Sequence, residues 1–153
     1  MNGVPPERRA PYVIRLRGPW HFRPLKRLGT PGLPESSCPL PAAGTCRVPT
    51  TWAGVFGNDF LGRARFERRF GCPSELAAGD RVQLVLQGFD GTDGVAVNDV
   101  ELNTPAGCGE LIQVDITELL SPRNVVAVEV VALSEPACCR IGEARLEVLE
   151  HDS

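Results

Sequence analysis

Apolar positions along this 153-residue chain recur mostly at every second residue, in short runs broken by Gly, Pro, Asn and Asp. That period is the signature of half-buried β-strands. Ile14 and Leu16 alternate with Arg15 and Arg17, and Trp20 and Phe22 share one face two residues apart. Ala64, Phe66 and Phe70 point one way, with Arg68 among them, while Arg63, Arg65, Glu67 and Arg69 point toward water. Val82, Leu84 and Leu86 repeat the pattern, as do Val95 and Val97, Val100 and Leu102, and Ile112, Val114 and Ile116. Residues 124–133 are nearly continuous Val and Ala, as a strand at the centre of a sheet requires. Ala144, Leu146 and Val148 form the last run. The pattern predicts about eight strands and no helix, hence an all-β fold built as an antiparallel two-sheet sandwich.

The connections carry their own signals. Asn98-Asp99 lies between two apolar strands, and both residue types tolerate the positive φ of a tight hairpin. Ala78-Gly79-Asp80 is a turn, and residues 90–94, Asp-Gly-Thr-Asp-Gly, form a polar turn. Asp115 and Thr117 are placed to cap a short turn that returns Leu119 and Leu120 to the core. Residues 28–49, with Pro31, Pro34, Pro39, Pro41 and Pro49, read as a Pro-rich loop or insertion outside the core of a single domain spanning residues 1–153.

Composition narrows the function classes. The net charge of −3 gives no reason to expect nucleic acid as a partner. The N-terminal third is locally basic, through Arg8, Arg9, Arg15, Arg17, Arg23, Lys26 and Arg27, but these alternate with apolar residues as on a solvated strand face. No apolar run is long enough for a membrane helix, so no membrane is expected, and residues 1–10 lack the apolar stretch of a secretory signal, which points to the cytoplasm. Six cysteines are compatible with a disulfide framework, but without an export signal reduced thiols are expected. No Cys-x-x-Cys occurs and the histidines are two, His21 and His151, so neither a metal site nor a cofactor site is expected. The cysteines read mainly as small apolar packing.

The order of these segments resembles the N-terminal sugar-binding domain of glycoside hydrolase family 2. The resemblance rests on residues 16–22, Leu-Arg-Gly-Pro-Trp-His-Phe, on Val48-Pro49-Thr50-Thr51-Trp52, and on residues 62–70, Gly-Arg-Ala-Arg-Phe-Glu-Arg-Arg-Phe. Residues 81–86, Gly88-Phe89-Asp90, residues 95–99, residues 114–120 and residues 124–130 complete it, so that it covers roughly residues 16 to 150. It implies the galactose-binding-domain-like jelly roll. The chain departs from the family at Asn98-Asp99, where Asn-Gly is usual, and at residues 104–109, which carry no charge where family enzymes place polar residues near a separate catalytic barrel. Residues 137–142 replace the family's Trp and Ser-Gly-Ile pattern. The family's catalytic carboxylates belong to that barrel, which would follow residue 153, so catalytic residues and enzyme activity are not expected here.

Trp52, Asn58, Asp59 and Phe60 lie together in a loop-rich stretch and are the candidate ligand-binding residues. A ring stacked on the apolar face of a sugar, with a carboxylate and an amide at its edge, is the usual way to hold a carbohydrate. The bland alternative is that Trp52 and Phe60 close one end of the sandwich. Asp90 and Asp93 fall short of a calcium loop and read as a solvated turn. Arg68, on an inward face, requires a carboxylate partner if buried. Two functions follow. One is a non-catalytic carbohydrate-binding module. The other is a structural or protein-interaction sandwich that has lost sugar binding, with a homo-oligomer or a glycosidase as partner.

Overall fold

A computed structural model describes residues 12–28, 40–74, 76–103 and 111–149. Among them are twelve strands and one short helix. The strands are β1 (Tyr12–Arg15), β2 (Trp20–Arg27), β3 (Gly44–Cys46), β4 (Thr50–Thr51), β5 (Gly62–Gly71), β6 (Arg81–Gln87), β7 (Thr92–Val97), β8 (Val100–Glu101), β9 (Leu111–Asp115), β10 (Arg123–Ala132), β11 (Arg140–Ile141) and β12 (Glu143–Leu149), and the helix is α1 (Trp52–Phe56). One sheet has the order β1-β12-β6-β9, the other β3-β2-β5-β10-β7-β8, and a two-stranded ribbon pairs β11 with β4. All pairings are antiparallel.

The period-two pattern places the core between the two larger sheets. Leu84 and Leu146 from one, and Phe66, Val97, Val126 and Val128 from the other, are fully buried in a continuous apolar cluster. Full burial of such side chains contributes about 1.5–3 kcal/mol each. β10 sits between β5 and β7, which explains its almost unbroken Val and Ala. Asn98 and Asp99 adopt φ of 53° and 66° in the β7–β8 hairpin, as expected of their types. Asp115 Oδ1 accepts hydrogen bonds from the Thr117 N–H and hydroxyl, and a 3₁₀ turn at Thr117–Leu119 returns Leu119 and Leu120 to the core.

Several expectations are corrected. The chain has more strands than the eight expected, because the two-residue strands at Thr50–Thr51 and Arg140–Ile141 and the three-residue strand at Gly44–Cys46 are too short to show a period. The helix departs from the expected helix-free pattern. It is five residues long, capped by Thr51, whose hydroxyl accepts from the Gly54 N–H, and stopped by Gly57 at φ 81°. The Pro-rich stretch 28–49 is not wholly outside the core: β3 pairs with β2, and Val48 is buried. Residues 29–39 lie outside the described residues. Asp90 and Asp93 are not free in solvent: Asp90 holds Arg140, and Asp93 pairs with Arg63 at 2.6 Å. Arg68 has no carboxylate among the described residues. Its Nη1 donates to the Arg69 carbonyl and its Nε is buried without a partner, and this desolvation lowers its pKa. Among the described residues no helix is long and apolar enough to cross a membrane.

Candidate functional site

The end of the sandwich carrying α1 is built from the residues singled out in the sequence. Thr51 starts the helix, so Trp52 falls on its first turn and faces inward, and its backbone N–H donates to the Cys139 carbonyl at 2.8 Å. The indole Nε1 donates to the Phe60 carbonyl at 2.7 Å, which folds the loop after α1 back over the ring. The Phe60 ring stacks on the indole at 5.4 Å and 15°. Phe56 meets both, at 4.7 Å from Trp52 and 5.1 Å from Phe60, and extends the cluster to Phe22 and Phe66. Arg27 lies over the Phe60 ring at 5.1 Å and donates to the Asp59 carbonyl.

This arrangement differs from the sugar platform expected there. Trp52 is 0% and Phe60 1% exposed. A ring must offer an open face to stack on a sugar, and here the faces are taken by other rings and by Arg27. Asn58 and Asp59 do reach the surface, so the structure brings the four residues together but turns the two rings inward and the two polar groups outward. The controlling signal is local: a Thr at the N-cap and a Gly four residues after Ala53 close one helical turn and set the ring direction.

A second construction at this end leaves no trace in the sequence pattern. Asp90 accepts from the Arg140 N–H, Nε and Nη2 at 2.9–3.1 Å, while its own N–H donates to the Arg140 carbonyl. The Arg140 hydrogen bonds hold the Asp90 carboxyl below the usual carboxylate range. This clasp ties the turn before β7 to the β4–β11 ribbon beside Trp52. Next to it, burial pushes the Cys139 thiol up to about 11, and burial does the same for Cys46. Cys46, Cys72, Cys138 and Cys139 are free thiols; Cys46 and Cys139 pack against the core as expected of small apolar residues, whereas Cys72 and Cys138 are exposed. Cys38 and Cys108 lie outside the described residues, as does the uncharged 104–109 loop. Among the described residues no three His, Cys, Asp or Glu groups converge as metal ligands.

At the opposite end Arg81 forks onto Glu118 and reaches Asp115. Burial raises the Asp115 pKa, but the hydrogen bonds from Arg81 and Thr117 outweigh it, and the net shift is downward. The outer face of the six-stranded sheet holds two depressions. One, of about 410 Å³, is lined by His21, Arg23, Thr45, Arg65 and Glu67. The other, of about 150 Å³, is lined by Arg65, Asp99, Glu101 and Glu129 over a floor of Gly94, Ala96 and Ala127.

The chain matches no protein-family model and no curated protein sequence. Solved structures share its fold. An FMN-binding β-glucuronidase from Faecalibacterium prausnitzii L2-6 superposes with a TM-score of 0.69 at 22% identity, covering 92% of this chain and 23% of that one. A Bifidobacterium dentium β-glucuronidase complexed with coumarin-3-O-glucuronide gives 0.69 at 20% identity, over 97% of this chain and 32% of its own. A putative β-galactosidase from Bacteroides fragilis gives 0.65 at 20% identity, over 92% and 24%. The chain therefore spans about a quarter to a third of the length of the glycosidase chains whose fold it shares.

Proposed function

We propose that this chain is an accessory β-sandwich of the kind found in family 2 glycosidases, and that it supports and contacts protein instead of holding sugar or cleaving it. The observation that carries this reading is the burial of Trp52, whose ring faces and Nε1 are all engaged within the fold. Carboxylate behaviour supports the non-catalytic part. Hydrogen bonds from Arg140 and Arg81 hold the Asp90, Asp115 and Glu118 carboxyls below the usual carboxylate range. A glycosidase general acid needs the opposite shift.

The test is isothermal calorimetry and Trp fluorescence against neutral and uronic-acid oligosaccharides. The expected result is no heat of binding and no shift in Trp emission. Saturable binding that moves the emission would overturn the reading. The carbohydrate-binding alternative draws on the exposed Asn58 and Asp59 beside the Gly57 cap. Under that alternative, binding would be present and would vanish in an Asn58→Ala/Asp59→Ala variant.

A further inference from the structure

The outward side chains of the six-stranded sheet are sorted by charge across its width. In register along one row lie Arg23 on β2, Arg65 on β5, Glu129 on β10 and Gly94 on β7. The neighbouring row runs Thr45, His21, Glu67, Ala127, Ala96 and Glu101 from β3 to β8. The β2–β5 half therefore carries the cations Arg23 and Arg65 with the single anion Glu67, and the β10–β8 half carries Glu129, Glu101 and the turn residue Asp99. Arg65 is compensated by Glu67 at 2.6 Å. Arg23 is exposed and makes no hydrogen bond or ion pair among the described residues. The acidic half is recessed, because Gly94, Ala96 and Ala127 leave the floor low.

From this we infer that the face pairs with a second copy of the chain. The dividing line between the halves falls between β5 and β10, the two central strands of the sheet. A two-fold axis lying along that line, parallel to the strands, turns one face onto the other and exchanges the halves. Arg23 of each copy then enters the acidic recess of its partner, near Glu101 and Asp99, and Arg65 meets Glu129. The alternative in-plane axis, perpendicular to the strands, fails because it sets each half against its own copy, the Arg23 half on the Arg23 half and the Glu129 half on the Glu129 half. Six strands at ~4.8 Å spacing make the face about 29 Å wide, enough for an ordinary interface of about 800 Å² per partner. Its chemistry is ionic, with little apolar area beyond the alanines, so the dimer is weak and salt-sensitive. The inference rests on the protein-contacting reading and names the partner.

Sedimentation equilibrium on the whole chain tests it. The wild type is expected to dimerise at about 0.02 M salt and to dissociate at about 0.5 M. Arg23→Glu and Glu101→Arg, each alone, place like charges across the axis and are expected to weaken the dimer at least about tenfold. Mixed together, the two variants restore opposite charges at both contacts. One contact has the signs exchanged between positions 23 and 101, and the other keeps the native Arg23 and Glu101, so a heterodimer is expected to form. Both positions are exposed, and unchanged melting temperatures will exclude unfolding as the cause of any loss. A wild type that stays monomeric at low salt, a dimer that survives both substitutions, or a mixture that stays monomeric overturns the pairing. A monomer that also binds no sugar overturns the pairing while leaving the supporting role intact.

Discussion

At the scale of single residues, two asparagines hold more of the fold than their polarity suggests. Asn124 is 1% exposed; its Oδ1 accepts from the Ser121 N–H and from Asn98 Nδ2, and its Nδ2 donates to the Ser121 and Phe70 carbonyls. Asn98 also donates to the Leu119 carbonyl and accepts from the Val125 N–H. The pair stitches the β7–β8 hairpin to the start of β10 and the end of β5. Asn124→Ala leaves several buried groups unsatisfied, at about 1–3 kcal/mol for each group that water cannot reach. A net loss of about 2–3 kcal/mol in urea unfolding is expected. Asp99 carries a conformational penalty that Gly would not, so Asp99→Gly is expected to stabilise the fold by roughly 0.5–1 kcal/mol in the same assay. The hairpin is legible in the sequence because φ preference is local. The Asn98–Asn124 network is not, because its partners are 26 residues apart and meet only once the sheet has formed. The candidate site divides in the same way: the grouping of Trp52 with Phe60 can be read, whereas the direction of the rings depends on one turn of helix too short to leave a period.

Among elements, the strands legible in the sequence are those that alternate, namely β1, β2, β5, β6, β7, β9 and β12, with β10 marked by its run of Val and Ala and β8 by the Asn98-Asp99 turn before it. The ribbon of β4 and β11 is not, because two residues carry no period and because its geometry is imposed from outside. Gly142, which follows β11, shows how. A Cβ there would lie 1.9 Å from the Gln87 carbonyl oxygen, so Gly142→Ala forces backbone apart and is expected to lower the melting temperature sharply or to prevent folding. The Asp90–Arg140 clasp holds the same ribbon to β7 and gives it a pH dependence. Asp90 has its pKa depressed in the fold, so its contribution is complete above the unfolded value near 4 and is lost as pH falls through the folded value. Acid unfolding is therefore expected to steepen from about pH 4 downward. An Asp90→Asn variant is expected to be less stable at neutral pH, with a smaller acid slope.

On the scale of the whole molecule, the aromatic plug and the inter-sheet core are one body. Trp52, Phe60 and Phe66 belong to the same buried cluster as Leu84, Val128 and Leu146, and Trp20 joins it through Phe89 at 6.3 Å. Trp20 and Trp52 therefore report on one cooperative unit, although they sit on β2 and α1. Single-tryptophan variants, Trp20→Phe and Trp52→Phe, isolate the two signals. The fluorescence transition of each in urea is expected to coincide with that variant's own circular-dichroism transition, as two-state unfolding requires. Separate midpoints would mean that the Trp52 end melts as its own unit. Removing the indole altogether is the stronger case. Trp52→Ala deletes the ring on which Phe56 and Phe60 pack and leaves the Phe60 carbonyl without its donor, so a loss of about 3–5 kcal/mol is expected. Because the cluster is continuous, that loss should lower the midpoint seen from Trp20 as much as the one seen from the backbone. A Trp52→Ala protein that keeps its wild-type midpoint would show that the ring is not part of the core, and would return it to the surface role of gripping a ligand.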